Sequence, residues 1–202
     1  MAQGPEAPIE SLPAAEAFLC KRDHALATLI ASRRERWPSA LREDPIWGLV
    51  RIVMAQQMST SLACRLVREV ELAHPGITSR SAAVMPEADF FRGLGLPLTR
   101  AKCCASILQG ASDIRAKIER GSTWEEAIVH IKGIGPWTIS VFRIMVLREP
   151  DVLPLGDVGL ERAVKNVYGA GADVRKLSEN WRPYRSVACW YLWRTLGNEQ
   201  LG

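Results

Sequence analysis

The chain is predicted to be all-α, on three observations. Apolar residues recur at helical spacing along most of its 202 residues. Helix-start chemistry recurs too, in Asp44-Pro45, in Ser59, and in Thr123-Trp124-Glu125-Glu126, which has the spacing of a capping box. No alternation of apolar and polar residues is long enough to build a sheet, and there is no internal repeat or low-complexity tract.

The elements follow in order. Residues Ala14–Arg33, rich in Ala and Leu, predict one helix. Asp44-Pro45 opens the next, through Ile46, Leu49, Val50 and Val53. Ser59 caps a third, running to about Leu72 and stopped by His74-Pro75-Gly76. Pro86 opens a short helix ending at Gly93-Leu94-Gly95. Thr99 lies near the start of a helix to about Gln109, and residues 112–120 form a short charged one. The helix begun by Thr123 runs into a glycine turn. Pro136–Leu147 is the helix after it, and residues 148–156, with Pro150 and Pro154, are a loop. Helices over Val158–Tyr168 and Pro183–Leu196 complete the chain.

A hydrophobic content of 48% supports one sizeable domain, or two small lobes sharing a core. A net charge of +4 and a pI near 8.9 permit a polyanionic partner without demanding one. Arg175, Lys176, Arg182, Arg185 and Arg194 face only Asp173 and Glu179 in the C-terminal stretch, which reads as a phosphate-facing surface or as a solvated helix face. Five cysteines, an odd number with an adjacent pair, do not form a disulfide framework, and no C-x-x-C metal spacing occurs. The three histidines are scattered. Reduced, mostly buried thiols are expected, in a cytoplasmic protein. Residues 1–13, acidic and rich in Pro and Ala, read as a flexible tail and not as a signal peptide. No apolar run reaches membrane-spanning length.

The most informative stretch is Ile131-Lys132-Gly133-Ile134-Gly135-Pro136-Trp137-Thr138, with Asp157 nineteen residues after Thr138. It reads as a helix end, a tight turn and a helix start. The two glycines can adopt φ > 0 or let another backbone approach closely. Pro136 suits the first turn of a helix, where its missing N–H costs nothing. The free N–H groups after it suit a phosphate. The plain alternative is a turn and nothing more.

The string Ile-Lys-Gly-Ile-Gly-Pro-Trp-Thr, followed by Asp157 at the start of the next helix, resembles the helix-hairpin-helix DNA glycosylases, and within them the AlkA-type DNA-3-methyladenine glycosylases. The resemblance covers about Asp44 to Thr195. It implies a helix-hairpin-helix glycosylase fold, with two helical lobes flanking a DNA-binding cleft. Residues 14–202 would form the core, with the hairpin at about 124–147 and without the additional N-terminal α/β domain of longer relatives. The implied activity is that of a monofunctional glycosylase of base excision repair. Such an enzyme hydrolyses the N-glycosidic bond of flipped-out 3-methyladenine or 7-methylguanine and leaves an abasic site.

On that resemblance, Asp157 matches the catalytic aspartate, which stabilises the positive charge that develops on the deoxyribose. Taken alone, it also reads as a simple helix N-cap. Trp137 stands where strand-nicking relatives carry a Schiff-base lysine, so no lyase activity is expected. Trp137 and Trp193 match two tryptophans of the base pocket, each with a buried structural role as the alternative. Lys132, Gly133, Ile134, Gly135 and Thr138 would hold a backbone phosphate, a contact that positions without reading sequence. Gln57 falls where relatives push a side chain into the DNA stack, some of them a leucine. Gln56 beside it reads as an interhelical hydrogen-bonding residue, and Arg100 and Lys102 as weak phosphate contacts.

In the family a monovalent cation, Na+ or K+, sits on hairpin carbonyls when DNA is bound; the matching ones here belong to Ile131 and Ile134. No catalytic metal and no iron–sulfur cluster is implied. The expected partner of a monomer is double-stranded DNA containing alkylated bases, with no membrane. Two other readings stay open: a non-catalytic hairpin module that binds DNA, and a glycosylase for another lesion such as hypoxanthine or ethenoadenine.

Overall fold

Asp23 divides the first helical stretch, where the Ala- and Leu-rich sequence predicts a single helix. In the computed structural model, which describes residues 12–33, 37, 44–79 and 85–197, α1 (Leu12–Arg22) and α2 (His24–Ser32) meet at this residue. Its carboxylate caps α2 by accepting from the Leu26 N–H at 3.1 Å. The other oxygen accepts from the Tyr168 hydroxyl at 2.8 Å and the Trp181 indole N–H at 2.9 Å. A long-range demand on one carboxylate therefore overrides the local helical pattern. Residues 1–11 of the expected tail lie outside the described residues, and Leu12 and Pro13 belong to α1.

Every described element is helical, and among the described residues there is no strand. The chain divides into two compact units, residues 1–40 with 143–202, and residues 41–142.

The unit of residues 41–142 is built on α3 (Pro45–Ala55). Asp44 caps it as expected, accepting from the Ile46 N–H at 2.8 Å, with Pro45 in the first turn. The second Asp44 oxygen pairs with Arg115 at 2.8 Å, a residue of α7 (Ala111–Glu119). Trp47, Leu49, Val50, Val53 and Met54 are buried on α3, each worth about 1.5–3 kcal/mol of hydrophobic transfer. They pack on α4 (Thr60–Ala73) and α6 (Leu98–Gln109), and α5 (Ala88–Gly93) packs on α6 as well. Ser59 caps α4 as expected. Thr123 and Glu126 form the reciprocal capping box at α8 (Trp124–Ile128). The next helix, α9 (Pro136–Met145), stops two residues short of expectation.

In the other unit, α10 (Val158–Tyr168) packs on α12 (Arg185–Trp193), and α12 packs on α1 and α2. Glu16, buried on α1, accepts from the Tyr191 hydroxyl. The six-residue α11 (Val174–Glu179), capped by Asp173, was not anticipated. The last helix begins at Arg185 and not at Pro183, and its final turn, Arg194–Leu196, is a 3₁₀ helix.

Candidate functional site

In the unit of residues 41–142, α8 ends at Ile128 and α9 begins at Pro136. Two steps of backbone bonding make the turn between them: Ile131 N–H to Ile128 O, then Ile134 N–H to Ile131 O, both 3.0 Å. Trp124 and Phe142 join the two helices edge to face, with ring centroids 5.4 Å apart. The two glycines turn out to have different tasks. Gly133 alone has positive φ, at +104°, and a Cβ there would stand 3.0 Å from Cys103 Sγ. It is thus required both by the turn and by close packing on α6. Gly135 lacks positive φ, and a Cβ there would meet nothing within 4 Å. It leaves open space at the start of α9, where helix N–H groups lack intrahelical partners.

Lys132 and Gly133 are exposed, whereas Ile134 is buried and offers only backbone. The Thr138 side chain also faces inward: the residue is 3% exposed and its hydroxyl accepts from Gln56 Nε2 at 2.9 Å. Any phosphate contact of Thr138 therefore falls to its backbone. Trp137, one residue earlier, is half-buried. Cys103, behind Gly133, is buried, and burial pushes its thiol up to about 11.

Gln57 lies in the turn between α3 and α4, exposed and with φ at +55°. A left-handed conformation is uncommon for a residue bearing a Cβ. The interhelical hydrogen bond expected of Gln56 is present, with Thr138 as the partner. Arg100 donates to the Gln56 carbonyl, so it fastens this turn and is not the plain phosphate contact expected. Lys102 is exposed.

In the other unit, Asp157 is 8% exposed and stands at the N-cap of α10. Its Oδ1 accepts from the Leu160 N–H and, at 3.0 Å, from the Trp193 indole N–H. The capping reading of Asp157 is met, and the cap fixes the carboxylate in space. Trp193, the last residue of α12, is half-buried, while Trp190 is buried and belongs to the core. Asp157 lies between Leu155 and Val158, which are 46% and 77% exposed, so a mostly buried charge has apolar neighbours at the surface.

The loop carrying Asp157 is stapled to the start of α12. Arg185 Nε and Nη2 grip the two oxygens of Asp151 at 2.6 and 2.9 Å, a bidentate pair. Arg182 Nη1 adds a contact to Asp151 at 3.1 Å. The Ser186 hydroxyl accepts from Val152 N–H at 2.9 Å, and Ser186 N–H donates to Pro150 O at 3.0 Å. Cys189, fully buried in α12, has its thiol pushed up, first by burial and then by the charge of Asp157.

No family model matches the chain. The "Probable bifunctional transcriptional activator/DNA repair enzyme AlkA" of Mycobacterium tuberculosis is 34% identical over 162 residues, which are 73% of this chain and 32% of that protein. The chain thus spans about a third of that curated relative. DNA-3-methyladenine glycosylase 1 of Schizosaccharomyces pombe is 27% identical over 203 residues, 93% of this chain and 89% of that protein. Over most of its length the chain is thus similar to DNA repair enzymes of the AlkA and DNA-3-methyladenine glycosylase type. The solved S. pombe 3-methyladenine DNA glycosylase in complex with abasic DNA superposes with a TM-score of 0.72 at 24% identity, over 91% of this chain and 97% of that one, and shares the AlkA-type fold.

The C-terminal arginines differ from expectation. Arg182 and Arg185 are engaged by Asp151, and Arg194 is buried with its guanidinium 4.7 Å from the Trp190 ring centroid. They are structural, which corrects the phosphate-facing reading for these three. Arg175 and Lys176 remain exposed on α11. The sequence reading missed Gly159, where a Cβ would stand 3.1 Å from Asp157 Oδ1 and 3.8 Å from Trp193 Cδ1. The signal was present in Asp157-Val158-Gly159, a glycine in the first turn of a helix where an alanine would favour helix formation.

Proposed function

We propose that this chain is a monofunctional DNA glycosylase that removes alkylated purines from double-stranded DNA in base excision repair. The observation that carries the proposal is the fixed Asp157 carboxylate, held by two N–H donors in a chain that also bears a glycine hairpin suited to phosphate. A module that only binds the DNA backbone would need this carboxylate as a helix cap, but not the second hold on it from the Trp193 indole.

The chemistry follows from the charge. As the C1′–N bond breaks, its electron pair leaves with the base and positive charge grows on the deoxyribose. Asp157 stabilises that charge. Water adds at C1′, and Asp157 orients it or takes its proton. Bases such as 3-methyladenine and 7-methylguanine are already cationic and depart neutral, so little acid catalysis is needed. The Trp137 indole suits stacking on a flat cationic base. Its place on α9 leaves no lysine there to form a Schiff base, so base release without strand nicking is expected. Trp193 orients Asp157 through its N–H.

The hairpin residues Lys132, Gly133, Ile134, Gly135 and Thr138 would grip a phosphate through charge and backbone N–H groups. The Ile131 carbonyl, already accepting one hydrogen bond, keeps a second lone pair. With the Ile134 carbonyl it forms a neutral oxygen set of the kind that suits Na+ or K+, which would supply positive charge between hairpin and phosphate. Gln57 would fill the gap left by the flipped nucleotide. Among the described residues no helix is long and apolar enough to cross a membrane. We place the protein, as a monomer, in the cytoplasm or nucleoid of a bacterium, or in the nucleus of a eukaryote.

The test is base release from methylated duplex DNA, with free bases followed by chromatography and strands by gel. Free 3-methyladenine or 7-methylguanine with intact strands is the expected result. Duplex binding with no free base from methylated DNA would overturn the reading. Release from hypoxanthine or ethenoadenine duplexes alone would reassign the lesion.

A further inference from the structure

We propose that Gln56, Thr138 and Arg100 form a positioning device that presents Gln57 to the base stack and ties this wedge to the phosphate-gripping hairpin. The inference deepens the function proposed above and rests on its reading of Gln57 as the wedge.

The argument begins with the peptide between Gln56 and Gln57. Gln57 holds φ at +55°, a conformation that L residues seldom adopt without outside support. Rotation about the bonds flanking this peptide sets that angle, so whatever fixes the peptide plane fixes Gln57. Arg100, from the first turns of α6, donates to the Gln56 carbonyl, which is the carbonyl of this peptide. The Gln56 side chain is held at its far end by Thr138 at 2.9 Å. Thr138 lies in the first turn of α9, three residues after Gly135, and is 3% exposed. The grip on the turn therefore comes from the hairpin helix itself. Gln57, by contrast, is exposed at the turn.

Two functions are thereby coupled. A phosphate drawn onto the start of α9 meets the helix whose first turn holds Gln56. Displacement of that helix is passed to Gln56, and so to the orientation of Gln57. Gln56, Thr138 and Arg100 act through Gln57 and need not touch DNA with their side chains.

The experiment uses the full chain and a duplex carrying a tetrahydrofuran abasic analogue beside 2-aminopurine. Fluorescence is read at saturating protein, so that affinity does not enter. Wild type should raise the fluorescence as the wedge unstacks the neighbour, and Gln57→Gly should abolish the rise. Thr138→Val, of nearly the same volume without the hydroxyl, should cut the amplitude by about fivefold to tenfold, the scale of one lost hydrogen bond. Arg100→Met should do the same from the other side of the turn, and keeps the test decisive if Thr138→Val fails to fold.

Full amplitude in whichever of Thr138→Val and Arg100→Met folds would overturn the device. So would a wild-type amplitude that Gln57→Gly leaves intact, even if methylated bases are released. A wedge signal that follows these variants in a chain releasing no base supports the device and refutes only the glycosylase reading.

Discussion

The indole N–H of Trp193 and the backbone N–H of Leu160 converge on the same oxygen, Oδ1, of Asp157. One donor belongs to the helix that Asp157 caps, the other to the last residue of α12. The carboxylate is set from two directions, by local chain chemistry and by tertiary packing. Asp157→Asn keeps the capping oxygen, because Asn caps as well as Asp. The variant is expected to melt within a few degrees of wild type and to bind abasic duplex. Base release should fall by about 100-fold or more. Single-turnover excision alongside a thermal melt checks both halves, and near-normal turnover would exclude Asp157 from the chemistry.

Gly159→Ala separates stability from activity. Alanine in a helix is favoured over glycine by roughly 0.5–1 kcal/mol, so the melting temperature should hold or rise. The new Cβ, 3.1 Å from Asp157 Oδ1, must push the carboxylate aside by a few tenths of an ångström, while the Trp193 ring at 3.8 Å stays in ordinary contact. Slower base release in a protein at least as stable is expected. An alanine variant with wild-type rate constants would show that the carboxylate tolerates the shift.

The two hairpin glycines should respond in opposite ways. Gly133→Ala meets a left-handed φ and the Cys103 side chain together. It should destabilise the fold by about 1–3 kcal/mol, read by urea denaturation. Gly135→Asp has room to fold, but it sets a negative charge at the phosphate grip. Its affinity for duplex DNA of any sequence should fall, as measured by anisotropy. Normal binding by a folded Gly135→Asp protein would remove this turn from the interface.

Asp151 should behave as a structural residue. It is buried under Arg185 and Arg182, so Asp151→Ala leaves Arg185 without its main partner and should cost about 3–5 kcal/mol. Arg175→Ala with Lys176→Ala should leave the melt nearly unchanged. If α11 meets phosphate, the same pair should lower the salt dependence of DNA binding by about two contacts. A shallow melt change for Asp151→Ala would contradict the staple.

What was legible in the sequence is local. Asp44, Ser59, Thr123 with Glu126, and Asp157 each cap the helix their neighbours announce, because capping chemistry acts within three residues. The glycine turn was legible for the same reason. Contacts that join distant parts of the chain were not. Asp23 breaks a helix to satisfy Tyr168 and Trp181. The arginines of the C-terminal stretch look unopposed until Asp151, in an earlier loop, reaches them. Gln56 names a hydrogen bond but not its partner, Thr138, which lies 82 residues away. Gly135 has neither the positive φ nor the close backbone approach that its sequence context allows, only open space about it.

The Cys103 thiol that backs the hairpin has a further consequence. Alkylating agents attack thiolates, not thiols. Burial pushes the Cys103 thiol up to about 11, so it stays protonated at neutral pH. Electrophiles of the kind that methylate purines would thus meet almost no nucleophile behind Gly133. The turn proposed to grip DNA would be backed by a thiol shielded from such agents.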